Sequence, residues 1–362
     1  MDRRQFVKAS TAGMSTLAAG LGIKDLNAKS ATAPGTAPVA GSGDKIGRPV
    51  RIVSIGMAGV HPPDIGSPLH APSLDGIAGL VDKEGARGTD VIILPETCQD
   101  YDAYSLETLE GPTITTIARL AQKHQTYVVC PIDRKEGERR YNSAVLLDRK
   151  GQVASIYNKL YPVWQEECMV QPPQRPVLPG EGVTVHQADF GRIGFAICFD
   201  VNWNALWERM SNLGAELVVW PSAYSAGRSL QAWAITYNYY IVSATWVPDC
   251  LVFDIDGERL VHEENNQGNG VNISRITLDL DRCIFHQDLN LPEKRDKLLK
   301  EHGDDVGQEK WLPMEGWFVL KAKRPGVSAR ELARQYGMEE LAHYINRSRC
   351  EIDKCRGWEF HG

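Results

Sequence analysis

Three polar residues follow apolar segments of the chain, at the points where strands of a sheet are expected to end. Glu96 follows Val-Ile-Ile-Leu-Pro, Lys159 follows Ala-Ser-Ile-Tyr-Asn, and Cys198 follows Ile-Gly-Phe-Ala-Ile. In open α/β sheets ligands bind where strands end, because the loops diverge there while the sheet holds their ends rigidly. The three positions therefore predict one shared site.

The three side chains have complementary chemistry. A cysteine is mostly a thiol near neutral pH and needs activation before it can attack a carbonyl carbon. A carboxylate can take the thiol proton and later deliver it to a leaving amine, and a lysine ammonium can stabilise the oxyanion. Such a set would convert an amide into a thioester, release ammonia or an amine, and then hydrolyse the thioester with an activated water.

Each residue also has a purely structural interpretation. A lone cysteine at the end of an apolar strand is usually a small buried hydrophobe. A lone glutamate or lysine after a strand is usually a solvated loop residue. The spacing of the three residues does not decide between these interpretations.

The apolar segments alternate with helical patterns, but hairpins interrupt the alternation. This order predicts mixed sheets, stacked face to face, with helices on the outer faces. The predicted strands are 49–55, 90–94, 126–131, 143–147, 152–157, 183–187, 193–199, 216–220, 240–245, 250–253, 259–262 and 271–280, and the predicted helices are 74–87, 112–124, 203–213 and 230–239. After residue 284 the pattern changes: residues 289–310 are highly charged, and residues 311–320 form an apolar patch. A capping box at Ser328 then opens a short helix that is followed by a second one at 338–349.

Four motifs, in this order, resemble the nitrilase superfamily of carbon–nitrogen hydrolases: Leu94–Glu96, Tyr157–Pro162, Pro179-Gly180 and Gly194–Asp200. The resemblance covers roughly residues 49–285. It implies an α/β fold, a four-layer αββα sandwich, in which Cys198 is the nucleophile, Glu96 the general base and Lys159 the transition-state stabiliser. It also implies no metal or organic cofactor, and a homodimer or higher homo-oligomer that pairs through helices next to the active site.

The resemblance suggests further site residues. Members often carry a second glutamate soon after the lysine, and Glu166 is preferred here over Glu167, with a plain acidic loop as the alternative. The expected substrate-binding residues are Tyr101, Trp164, Asp200, Trp203 and Tyr224. The aromatic ones can equally belong to the core or to an interface.

The residue beside the nucleophile bears on the substrate. Asp200 resembles amidases and carbamoylases, whereas nitrile-cleaving members more often carry tryptophan beside the cysteine. The chain departs from the family at Asn202–Ala205, where many members have Arg-Phe-Pro-Glu, and at Tyr237-Asn238, where Glu-Asn is common. These departures put the substrate and dimer contacts in doubt, but not the nucleophile.

The N-terminus differs from the rest of the chain. Arg3-Arg4 precedes a mildly apolar run and small residues, which is typical of a twin-arginine export signal. We therefore predict a signal at 1–33, a linker at 34–47, a hydrolase domain at 48–285 and a partly helical extension at 286–362. The predicted location is periplasmic or extracellular, without a lipid anchor because no cysteine lies near the cleavage region.

The charge distribution opposes nucleic acid as a partner. The chain has a net charge of −6, and residues 1–47 carry six Lys and Arg against three Asp and Glu, which leaves −9 for the remainder. The helices at 329–336 and 338–349 resemble a helix-turn-helix, in a segment (321–349) with seven basic and three acidic residues. An arm that packs on a partner subunit explains this segment better than DNA binding.

The cysteines do not predict a metal site. There are eight, and neither they nor the nine histidines have the spacing of a zinc motif. Cys350 and Cys355 are the most plausible pair for a disulfide, but their spacing does not establish one.

The sequence thus predicts hydrolysis of a small amide or carbamoyl compound through a Cys198 thioester. The alternatives are nitrile hydrolysis or acyl transfer by the same three residues, and a non-catalytic binding or scaffolding relative.

Overall fold

The computed structural model describes residues 44–57, 74–98, 106–164, 176–247, 249–263 and 270–357. The chain divides into two units, Met1–Pro38 and Val39–Gly362, and all described residues belong to the second. The predicted export signal and most of the linker lie outside the described residues. Among the described helices none is long and apolar enough to span a membrane.

Within the described residues, fifteen strands form three sheets. They are β1 (Pro49–Gly56), β2 (Val91–Ile93), β3 (Tyr127–Glu136), β4 (Arg139–Leu147), β5 (Val153–Asn158), β6 (Val185–Gln187), β7 (Arg192–Phe195), β8 (Leu217–Ser222), β9 (Tyr240–Thr245), β10 (Cys250–Phe253), β11 (Arg259–Glu263), β12 (Asn272–Asp279), β13 (Cys283–His286), β14 (Val306–Leu312) and β15 (Trp317–Ala322). Two sheets have six strands, in the orders β12-β1-β2-β3-β4-β5 and β11-β10-β9-β8-β7-β6. In each, three central strands are parallel (β1-β2-β3 and β7-β8-β9) and hairpins extend the sheet outward.

Seven α-helices complete the described fold. They are α1 (Leu74–Gly85), α2 (Pro112–His124), α3 (Asn204–Asn212), α4 (Gly227–Tyr237), α5 (Leu291–His302), α6 (Ala329–Gln335) and α7 (Leu341–Cys355). A 3₁₀ turn at Cys198–Asn202 precedes α3.

Side-chain alternation along the strands builds the layers. Ile52 and Ile93 point into the core between the two large sheets, whereas their neighbours Val53 and Ile92 pack on the opposite face, against α1 and α2. The period of two places alternate residues on opposite faces, so strands that are buried on both sides are apolar throughout. The predicted four-layer αββα sandwich is confirmed, with the sheets inside and helices outside.

The C-terminal extension contains a sheet that the sequence did not predict. Strands β13-β15-β14 are antiparallel, and together with α5 and α6 they enclose a small core of their own. The charged stretch 289–310 concealed α5 because most of that helix is solvated: only Leu291 and Leu298 are buried. The second predicted helix begins at Leu341 rather than at residue 338.

The two helices that resemble a helix-turn-helix pack on their own chain. Ala329 and Ala333 of α6 are buried in the core of the extension, and the Arg330 side chain donates to the backbone oxygen of Arg282. These contacts hold α6 on its own chain. Cys350 and Cys355 are both free thiols, so the structure contains no disulfide between them.

A charge cluster joins the extension to the second large sheet. The Nζ atom of Lys310 on β14 lies 2.8, 2.8 and 2.6 Å from carboxylate oxygens of Asp254, Asp256 and Glu258, in and beside the turn between β10 and β11. Asp254 is buried and also accepts two hydrogen bonds from Arg282. Lys310 therefore supplies part of the positive charge that keeps these acidic side chains inside the fold.

We expect Lys310→Met to lower the free energy of unfolding by about 2 kcal/mol, because two mostly buried carboxylates lose a partner. The matched variant Lys321→Met removes a lysine that pairs with Glu309 at a more exposed position, and should change stability by less than about 1 kcal/mol. Urea denaturation followed by circular dichroism measures both. Equal effects of the two variants would show that the cluster does not stabilise the extension.

Candidate active site

The site forms where strand ends of the two large sheets face each other. Glu96 follows β2 and Lys159 follows β5 in the first sheet, whereas Cys198 follows β7 in the second sheet. The indole Nε1 of Trp246, just after β9, donates to the backbone oxygen of Glu96 at 2.5 Å. The two sheets are thus tied together at the site.

The Glu96 carboxylate is buried and accepts three hydrogen bonds. Its Oε1 atom accepts from Lys159 Nζ at 2.9 Å and from Asn142 Nδ2 at 2.7 Å. Its Oε2 atom accepts from the backbone N–H of Ala223 at 2.9 Å, which comes from the second sheet. Three donors compensate the desolvation of this charge and fix the plane of the carboxylate.

Lys159 is almost completely buried, with 1% of its side chain exposed. Its backbone N–H donates to the backbone oxygen of Asn142 at 2.8 Å, which fixes the end of β5 beside β4. Because both members of the Glu96–Lys159 pair are removed from water, the loss of either one leaves an uncompensated charge.

Cys198 lies at a sharp turn between β7 and the 3₁₀ turn. Its φ is 47°, in the left-handed region that non-glycine residues rarely occupy. The indole Nε1 of Trp220 donates to its backbone oxygen at 3.0 Å. A strained backbone that neighbouring groups hold in place is common at functional sites.

Burial, followed by the Glu96 charge, raises the pKa of the Cys198 thiol to about 12, although Lys159, the Ser222 hydroxyl and the Ala223 N–H oppose the shift. At neutral pH the resting side chain is therefore a thiol, which needs a base at the moment of attack. The Ala223 N–H acts on both the thiol and Glu96 Oε2, so this carboxylate oxygen lies on the same side of the site as the sulfur.

Comparison with known proteins shows the family of the chain. Residues 69–283, which are more than half of the chain, match the family model described as carbon-nitrogen hydrolase. This chain belongs to the carbon–nitrogen hydrolase family. This match confirms the predicted membership of the nitrilase superfamily.

Individual relatives are distant. The chain is 25% identical to the nitrilase and fragile histidine triad fusion protein NitFhit of Drosophila melanogaster, over 49% of this chain and 42% of that protein. It is also 25% identical to the deaminated glutathione amidase of a Synechocystis strain, over 45% of this chain and 68% of that protein. A crystal structure of an amidase from Nesterenkonia sp. superposes with a TM-score of 0.52 at 20% identity, covering 71% of this chain and 99% of that one.

In this family member Asp200 has a different position from the one the sequence suggested. It is fully buried, and its carboxylate accepts from the Tyr157 hydroxyl at 2.7 Å and from the backbone N–H groups of Ile197 (2.8 Å) and Tyr161 (2.9 Å). These donors link the cysteine turn to the chain around Lys159. The structure therefore places Asp200 as a support of the turn, and its predicted contact with substrate stays a prediction.

Of the predicted aromatic residues that the structure describes, two pack on other rings and one is exposed to solvent. Trp203 stacks on Tyr161 with 4.2 Å between ring centroids, and Tyr224 contacts Trp220 edge to face. Burial, followed by the Cys198 side chain, raises the pKa of the Tyr224 phenol. Trp164 is 56% exposed. Tyr101, Glu166 and Glu167 lie outside the described residues.

Sequence reasoning missed three contributors to the site. Ala223 acts through its backbone N–H, for which the residue type carries no signal. Ser222 ends β8 in the same way that the predicted residues end their strands, so that rule could have found it. Asn142 lies within β4, and its only signal is a polar residue at a position that the sheet buries.

Asp200 should make stability depend on pH. Burial raises its pKa to about 6, so the folded protein binds more protons than the unfolded chain between about pH 4 and pH 6. The stabilisation is complete below that range and is lost as the pH rises through it. We expect the free energy of unfolding, relative to Asp200→Asn, to fall by up to about 1.4 kcal/mol per pH unit there and to stay level above pH 7.

Chemical denaturation at a series of pH values measures this difference. Asp189→Asn is the matched control, because that carboxylate is about half exposed and pairs with Arg149 at the surface. A difference that rises with pH would contradict the assignment of the burial effect to Asp200.

Proposed function

We propose that the chain hydrolyses a non-peptide carbon–nitrogen bond of a small amide or carbamoyl compound and releases ammonia or an amine. The observation that carries this proposal is the arrangement around Glu96. Its Oε1 accepts a hydrogen bond from Lys159 Nζ, and its Oε2 accepts one from the Ala223 N–H. The same N–H also acts on the buried thiol of Cys198. A base, a nucleophile and a cation thus meet in one buried site.

The first half-reaction forms a thioester. Glu96 Oε2 takes the thiol proton as the sulfur bonds to the carbonyl carbon, and the π electron pair moves to the oxygen. Lys159 stabilises this oxyanion electrostatically. When the oxyanion reforms the carbonyl, the carbon–nitrogen bond breaks, and Glu96 gives its proton to the nitrogen that leaves.

The second half-reaction restores the enzyme. Glu96 accepts a proton from water as the water oxygen attacks the thioester carbon, and Lys159 again faces the oxyanion. The carbon–sulfur bond then breaks, the sulfur regains a proton from Glu96, and a carboxylic or carbamic acid leaves.

Two observations support the substrate class. The thiol is only 8% exposed, which favours small molecules over folded proteins. A relative carries the name amidase, and Asp200 follows the nucleophile as in amidases and carbamoylases. Nitrile hydrolysis and acyl transfer to another acceptor use the same residues and remain the alternatives for the chemistry, and a non-catalytic scaffold is the alternative of another class.

The cellular setting belongs to the same proposal. We propose export through the twin-arginine signal to the periplasm or beyond, without a lipid anchor, and assembly into a homodimer or larger homo-oligomer. The proposed partner is a small-molecule substrate and not nucleic acid, since the body of the chain is acidic. Size-exclusion chromatography and fractionation of cells that express the full chain address these points.

Ammonia release from a panel of small amides, carbamoyl amino acids and nitriles tests the activity. Cys198→Ala should show no release above background, since the covalent intermediate cannot form. Glu96→Gln and Lys159→Met should each lower kcat/KM at least about 1000-fold, since proton transfer and oxyanion stabilisation are lost.

Cys283→Ala is the matched control, because that cysteine is equally buried but lies in the extension. It should retain activity. If the folded natural chain releases ammonia from no compound on the panel, or if Cys198→Ala stays active, the proposed function is contradicted.

A further inference from the structure

Only one of the two polar atoms of the Asn142 amide has a hydrogen-bond partner among the described residues. Its side chain is 5% exposed, and its Nδ2 donates to Glu96 Oε1 at 2.7 Å. Its Oδ1 atom is buried without a hydrogen-bond partner among the residues that the structure describes. Folded proteins rarely leave such an atom unsatisfied, because burial removes it from water and gives nothing in return.

The orientation of this amide follows from chemistry. Glu96 Oε1 is a carboxylate oxygen and requires a donor, so Nδ2 must face it. The reversed amide would place two acceptor oxygens against each other. The Oδ1 atom is therefore the one that no described residue contacts by a hydrogen bond. It is bonded to the same carbon as Nδ2, which contacts Glu96.

We propose that Asn142 is a further residue of the reaction, which positions Glu96 through Nδ2 and accepts an N–H of the bound substrate at Oδ1. The second part rests on the proposed function, whereas the first does not. Both parts follow from one side chain. Its Nδ2 atom donates to Glu96, and its Oδ1 atom is buried without a hydrogen-bond partner in the described part of the chain.

The positioning role concerns which carboxylate oxygen carries the proton. Asn142 and Lys159 both occupy Oε1, so a proton taken from Cys198 goes to Oε2, on the side of the thiol. Without Asn142, Oε1 loses a donor, and the negative charge of Glu96, which disfavours the Cys198 thiolate, is less compensated. The activation of Cys198 should then require a higher pH.

Alkylation of Cys198 by iodoacetamide tests this role without a known substrate. The rate is measured against pH by peptide mass mapping, with Cys198→Ala to identify the peptide. In Asn142→Leu the pH midpoint should rise by about one unit, since a donor to Glu96 is lost. In Asn142→Asp it should rise further, since two carboxyl groups then share one site.

Ser143→Ala is the matched control on the same strand. Its hydroxyl is buried, but it contacts Asn158 and Arg134 instead of Glu96, so the midpoint should not move. An unchanged midpoint in both Asn142 variants, with only a loss of thermal stability, would assign Asn142 a structural role and overturn the proposal.

The substrate contact is tested with the best amide of the panel and the ethyl ester of the same acid. The ester lacks the N–H that Oδ1 would accept. Asn142→Leu should therefore lose at least about tenfold more kcat/KM on the amide than on the ester. Equal losses, together with a shifted alkylation midpoint, would leave the positioning role and refute the substrate contact. If no compound turns over, the alkylation result still decides the positioning role.

Discussion

The site depends on a buried ion pair between Glu96 and Lys159, and much of the surrounding structure compensates its desolvation. Two charges taken out of water are costly unless their geometry is good and their remaining hydrogen bonds are made. Here Asn142 and the Ala223 N–H supply those bonds. The same low-dielectric surroundings strengthen each electrostatic effect on a developing oxyanion.

This requirement explains why the fold uses two sheets. Glu96, Lys159 and Asn142 belong to the first sheet, whereas Cys198 and the Ala223 N–H belong to the second. A single sheet would expose one side of the pair to solvent. Hydrogen bonds from Trp246 to Glu96 and from Tyr157 to Asp200 connect the sheets at this edge.

The C-terminal extension is joined to the domain by polar groups as well as by packing. Lys310 on β14 and Arg282, between β12 and β13, both approach Asp254, and Ser328 donates to Asp281 where α6 begins. Because the extension encloses its own apolar cluster, it can fold around β15 and use charged contacts to fix its place on the second sheet. Charged contacts of this kind specify position more than they add stability.

The sequence by itself determined the layered fold and the positions of Glu96, Lys159 and Cys198 at strand ends. Both are local features, because they depend on apolar periodicity and on a polar residue that follows an apolar strand. The tertiary structure alone decided the contacts of Asn142, Ala223 and Asp200. An N–H such as that of Ala223 has no residue signature, and the partners of Asn142 and Asp200 come from distant parts of the chain. Asp200 shows the difference most clearly: its position beside the nucleophile suggested a substrate contact, and only the packing of β5 against the cysteine turn reveals that its oxygens are already occupied.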